Sequence, residues 1–182
     1  DITLHRPMMG EIYRMAPVET QRGCPYACTF CNSPEKNTLY DDQNAGDFFR
    51  KRTMKNVHTE LKELVEKYRI EYIFFVTDTF LAMSDNEFDE FCEMYSEFKL
   101  PFFMNTRPET ITEYRAKKLK EVNCSRVNIG VEHGNPKFRA EVVDRKYKNE
   151  FAINAFSLMF DAGISTVANS IVGYPDETRE LV

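Results

Sequence analysis

The 182-residue sequence contains no apolar run near the roughly 18 residues a membrane helix needs, so no transmembrane segment is expected. No secretion signal is visible at its start. It has no internal repeat and no low-complexity tract. Glycine is scarce, at seven residues, beside nine tyrosines and fifteen phenylalanines, which excludes disorder and collagen-like order. Positive charge is not in excess: the net charge is −5 and the pI about 5.4, which speaks against a broad nucleic-acid-binding surface. What remains is an ordinary globular composition, long enough for one domain with a real core. The chain lacks an initiator Met and stops at Glu180-Leu181-Val182, where a helical pattern begins. A fragment of a longer protein is therefore expected.

An odd count of five cysteines without a leader argues against a disulfide framework and for a reducing, cytoplasmic setting. Short apolar runs alternate with helical patterns. The runs are Ala16–Gln21, Ile70–Thr77, Leu100–Asn105, Arg126–Val131 and Thr166–Val172, and they read as parallel strands. Between them, Val57, Leu61, Leu64, Val65 and Tyr68 recur at helical spacing. Ser84 to Glu87 is a capping-box pattern ahead of Phe88, Phe91, Tyr95 and Phe98. Thr110 to Glu113 repeats that pattern before Ile111, Tyr114, Leu119 and Val122. Asn135-Pro136 reads as an N-cap with proline in the first turn. Phe151, Ala155, Leu158 and Met159 form a last stripe, stopped by Gly163. The stretch Asn32–Arg52 fits neither pattern and is expected to be a long functional loop.

Five strand–helix units suit either a doubly wound sheet or an incomplete βα barrel. An unusual local feature follows every strand: the cysteine cluster, then Thr77-Asp78-Thr79, Asn105-Thr106-Arg107, Glu132-His133-Gly134 and Gly173-Tyr174-Pro175. A barrel gathers such carboxyl ends at one mouth, so the barrel is favoured.

Three cysteines lie within Arg22-Gly23-Cys24-Pro25-Tyr26-Ala27-Cys28-Thr29-Phe30-Cys31. Spacings of three and two residues let one tight loop aim three thiolates together, and thiolates select iron–sulfur clusters or zinc. A structural zinc site needs four ligands, and no Cys or His follows Cys31 before His58. A plain electron carrier also wants four thiolates, so Cys92 or Cys124 would have to complete it. Three ligands leave one iron of a 4Fe–4S cluster open. Cys92, beside Phe91 on an apolar helix face, and Cys124 both read as core.

Cys24-x-x-x-Cys28-x-x-Cys31, with Phe30 before the last cysteine, resembles the signature of the radical S-adenosylmethionine (SAM) superfamily. The likeness runs over the whole chain. RGCPYACTFC, VNIGVEHGNP and AGISTVANSIVGYPDET are similar to the branch often fused to a cobalamin-binding domain, among them anaerobic tetrapyrrole cyclases, methyltransferases and methylthiotransferases. The resemblance implies an α/β fold, a partial (β/α) barrel with about five of six βα units, truncated at the C-terminal end. It makes residues 1–182 a core domain, with 1–15 as lead-in and 16–182 as the βα units.

The resemblance also implies a reaction and its cofactors. A 4Fe–4S cluster on Cys24, Cys28 and Cys31 chelates SAM at its open iron. An electron then cleaves SAM to methionine and a 5′-deoxyadenosyl radical. Cobalamin enters as a second cofactor by resemblance alone, bound by a domain preceding residue 1. The partners implied are a small-molecule substrate and a reductant such as flavodoxin or ferredoxin. An electron-transfer module and a zinc-stabilised binding domain remain as alternatives.

For cofactor contacts the resemblance points to Phe30, Asp78, Glu132, Arg145, Ile171 and Gly173. Thr77-Asp78-Thr79 departs from the family's Gly-Gly-Glu pattern, although Asp can still accept from an ammonium. Glu132 would need a partner at a barrel mouth, the cosubstrate ammonium or Arg145. Arg145 would reach the cosubstrate carboxylate, or else end a helix in solvent. Ile171 and Gly173 would lie against the adenine, with the Phe30 backbone opposite. Arg107 has only its strand-end position in its favour. His133 reads as a hydrogen-bond partner of the turn ahead of a proton carrier.

Overall fold

The computed structural model describes residues 4–181. It opens with β1 (Leu4–Met8) and β2 (Glu11–Val18), an antiparallel hairpin about Met9-Gly10. Then come β3 (Gln21–Arg22), the cysteine loop, α1 (Ser33–Asp42) and β4 (Arg50–Lys51). Four further units follow: α2 (Met54–Tyr68) and β5 (Tyr72–Phe75), α3 (Asp85–Tyr95) and β6 (Phe102–Thr106), α4 (Glu113–Glu121) and β7 (Cys124–Glu132), then α5 (Pro136–Glu141), α6 (Asn149–Asp161) and β8 (Ser165–Ser170).

The main sheet runs β1-β2-β5-β6-β7-β8, parallel from β2 onward. Its strands neighbour one another in chain order. A doubly wound sheet would reverse direction at a switch point; here there is no reversal, and the sheet curls into a half-barrel. Alternate residues therefore face helices or the concave side. Phe75, Phe102, Met104, Val127 and Ile129 point to the helices and are buried. Phe75 is the hub, with Phe80, Phe91, Tyr95 and Phe102 ring centroids all 5.1–5.4 Å away. On the concave side Phe74 and Phe103 stack at 4.1 Å near the floor. The polar residues collect toward the mouth.

Helix starts follow local chemistry. Thr53 caps α2 and Ser84 makes a full capping box with Glu87. Asn135 caps α5 with Pro136 in the first turn. No helix among the described residues is long and apolar enough to cross a membrane.

Several expectations need correction. Asn32–Arg52 is not irregular: it holds α1, and β4 pairs with β3 to close the segment at its base. The lead-in holds β1 and the first part of β2, and the first strand of the parallel set starts at Glu11 rather than Ala16. Thr112, not Thr110, caps α4 by accepting from Arg115 N; Thr110 ends a short 3-10 turn. Phe151 and Tyr114 point outward, and Ala152, Ala155 and Met159 form the buried face of α6. The helix anticipated at Glu180 is a turn through Leu181, while Val182 lies outside the described residues.

Candidate active site

The cysteine loop follows β3 at the carboxyl end of the sheet. Gly23 opens it at φ +83°, and a Cβ there would stand 2.6 Å from the Phe48 carbonyl oxygen. Only glycine allows both the turn and that approach. Cys28 is buried, and Cys24 and Cys31 are half-buried. The Cys24 thiol lies 3.5 Å from the Thr79 hydroxyl, and burial pushes it up from its ordinary value. Cys31 Sγ accepts the Ser33 N–H at 3.4 Å.

Cys28 has a different environment. Arg145 Nε donates to its sulfur at 3.3 Å and Arg107 Nη1 at 3.4 Å. Both arginines are buried, 7% and 6% exposed. Arg145 also donates Nη1 to the Gly130 carbonyl at 2.5 Å and pairs with Glu132 at 3.2 Å. Its guanidinium stands 5.7 Å from the Phe30 ring centroid. Arg107 pairs with Glu109 and stacks on Tyr26 at 3.8 Å.

Glu132 ends β7 at φ +68°, a left-handed conformation uncommon for a residue with a side chain. Its carboxylate folds back over Gly130, where any Cβ would collide with it. Burial raises its pKa, while Arg145 and Arg107 pull it back. Arg139, fully buried, donates to the His133 and Tyr147 carbonyls and so pins the segment that carries Arg145.

These groups border a cavity of about 770 Å³ at the mouth, lined among others by Gly23, Asp78, Arg107, Glu132, Arg145 and Asn169. The structure thus brings Asp78, Glu132 and Arg145 to one cavity, with Cys28 and Phe30 against Arg145. Asp78 is exposed there. Ile171 joins through its N–H to the Glu132 carbonyl at 2.8 Å. Gly173 does not line that cavity; its N–H goes to Glu177, whose other oxygen accepts from His133 Nε2. His133 Nδ1 accepts the Asn135 N–H, so the ring braces the turn. Sequence reasoning missed the weight of Arg107. Its strand-end position was the available signal, but a 79-residue separation from Cys28 hid the contact.

Three soft thiol donors on one loop suit an iron–sulfur cluster by their chemistry. Among the described residues no three Cys, His, Asp or Glu side chains converge tightly enough to hold one metal ion. Cys124 begins β7, eight residues before Glu132, so it lies roughly 26 Å down the strand from the mouth. Cys92 is buried on α3, its thiol pushed up to about 12. Neither is placed to serve as a fourth ligand.

A curled sequential sheet with soft thiols and charged groups at its carboxyl mouth defines a partial-barrel cofactor protein. Residues 18–182 match the profile of the Radical SAM superfamily, and the chain belongs to it. Members of that superfamily use a 4Fe–4S cluster and SAM. An uncharacterised methyltransferase of Pyrococcus horikoshii is 30% identical over 91% of this chain and 34% of its own length. An anaerobic magnesium-protoporphyrin IX monomethyl ester cyclase of Rubrivivax gelatinosus is 28% identical over 93% and 29%. The chain thus spans about a third of the length of these curated relatives. The fold is also similar to the radical SAM methyltransferase TsrM of Kitasatospora setae. With tryptophan and a SAM analogue bound, the TM-score is 0.74 at 20% identity, covering 92% of this chain and 32% of that one. With cobalamin and a 4Fe–4S cluster bound, it is 0.71 at 20% identity, covering 93% and 33%.

Proposed function

We propose that this chain is the catalytic core of a radical SAM enzyme, with Cys24, Cys28 and Cys31 holding a 4Fe–4S cluster that leaves one iron for SAM. The observation that carries this reading is the convergence of Cys28 with two buried guanidiniums on the wall of the mouth cavity. When bound, the cluster supplies the electron that cleaves SAM to methionine and a 5′-deoxyadenosyl radical.

The chain's own residues do the holding. Arg145 offers a guanidinium to the SAM carboxylate, a match of planar donors to paired acceptors. Glu132 and Asp78 offer carboxylates to its ammonium. Ile171, tied to the Glu132 carbonyl, and the Phe30 backbone would flank the adenine, while Gly173 would serve only through the turn it makes with Glu177. Arg139 and His133 keep the strand-end turns in place, and burial of Cys28 excludes water from that side. The named relatives favour methyl transfer or ring closure on a small molecule, with cobalamin as second cofactor; membership of the superfamily adds a reductant as partner.

Anaerobic reconstitution with iron and sulfide, followed by dithionite and SAM, tests the reading. The expected result is 5′-deoxyadenosine and methionine, detected by mass spectrometry and abolished by Cys28→Ala. A cluster whose EPR signal is unmoved by SAM, or one ligated by four cysteines, would overturn it.

A further inference from the structure

We infer that Arg107 sets the reduction potential of the cluster through Cys28, as a positioning residue acting on that sulfur. This rests on the reading that the three cysteines hold the cluster. The three thiols are not treated alike. Cys24 faces a neutral hydroxyl and Cys31 a backbone N–H, whereas Cys28 receives two charged donors.

Those two donors also differ from each other. Both line the mouth cavity, but Arg145 divides itself among Cys28, the Gly130 carbonyl and Glu132. Arg107 is held on three sides. Nη1 faces the sulfur, Nε and Nη2 both go to one oxygen of Glu109, and the planar face lies on Tyr26 at 3.8 Å. A guanidinium so fixed has no freedom to follow a ligand. It is a standing N–H donor and a standing positive charge beside one thiolate.

Reduction adds negative charge to the iron–thiolate unit. A charge-assisted N–H···S bond in a buried site stabilises the reduced form more than the oxidised one. The potential therefore rises with Arg107 in place. Glu109 lies on the opposite edge of the guanidinium and offsets part of that charge. Its second oxygen is buried without a hydrogen-bond partner, so Arg107 is the side chain that holds this carboxylate directly. Opposite signs follow for the two residues.

The test is an EPR-monitored potentiometric titration of the anaerobically reconstituted protein, with iron and sulfide counted for each variant. Arg107→Gln is expected to keep its cluster and to titrate lower. The reduced-to-oxidised ratio at the wild-type midpoint should fall about tenfold, or about 59 mV for one electron. Arg107→Lys keeps the charge but loses the fork, and should fall in between. Glu109→Gln keeps an acceptor oxygen and drops the charge, so its midpoint should rise. Wild-type midpoints in both Arg107 variants would overturn the inference. So would loss of the cluster from both while the wild type loads fully, or a shift of Glu109→Gln in the same direction as Arg107→Gln. A wild-type protein that takes up no cluster refutes the earlier reading instead, before any variant is titrated.

Discussion

Glu132 occupies a left-handed backbone position that would suit glycine, yet it carries a buried carboxylate. The conformation puts that carboxylate over Gly130 and against Arg145, so the backbone cost secures the charge pair. A side chain at positive φ costs about 1 kcal/mol relative to glycine. Glu132→Gly should therefore be more stable than Glu132→Ala by about that amount, measured by urea unfolding of the metal-free protein. Equal stability would mean that the φ is not strained. At this scale the sequence was readable in chemistry but not in contacts. Cys24, Cys28 and Cys31 announce themselves by spacing. Arg107 does not, because an arginine after a strand looks the same whether it meets solvent or a thiol 79 positions away.

At the scale of elements, α3 is the most legible helix because its signals are local. Ser84, Glu87 and the stripe behind them lie within a few turns of chain. Ser84 Oγ accepts the Glu87 N–H, and Glu87 accepts the Ser84 N–H at 2.7 Å and the Lys51 ammonium at 2.7 Å. Lys51 foremost, then the Ser84 N–H, holds the Glu87 carboxyl at about 2, below its ordinary 4.5. A carboxyl depressed on folding stabilises above its unfolded pKa and loses that contribution as pH falls through the folded value. The wild type should thus lose more stability than Glu87→Gln between pH 4.5 and 2, by chemical denaturation at each pH. Parallel losses would show the cap to be uncoupled from protonation. By contrast α1 was illegible. Its ten residues, Ser-Pro-Glu-Lys-Asn-Thr-Leu-Tyr-Asp-Asp, carry no apolar stripe, and only Ser33 is buried. Its place is set by closure at β3–β4 and by Leu39 and Tyr40 at the cavity wall, which are tertiary facts. The β1 hairpin was missed for a related reason, since five residues with two basic side chains and a proline pattern poorly as a strand until paired with β2.

For the whole molecule, chemistry and support lie at opposite ends of the sheet. Cys92 and Cys124 belong to the supporting end, where burial pushes both thiols up. Replacing both with alanine should lower the melting temperature but leave iron and sulfide per chain at the wild-type level. A fall in bound iron with the fold intact would reinstate a four-cysteine carrier. The half-barrel itself was readable because each strand is followed by an odd residue cluster, a pattern with a barrel's one-sided logic. Strand ends were less so, since β7 extends two residues before and one after its apolar run through pairing on both sides.

The unreversed order of the parallel strands has a consequence for how the protein is made. Each strand leaving the ribosome meets a neighbour that is already there, so the wall can grow by accretion from its first hairpin. The thiols come early in that sequence, and the guanidiniums that steady Cys28 arrive 79 and 117 residues later. Until β7 has docked and the segment after α5 has closed, the sulfur loop lacks its second cation, and inorganic loading waits for that step.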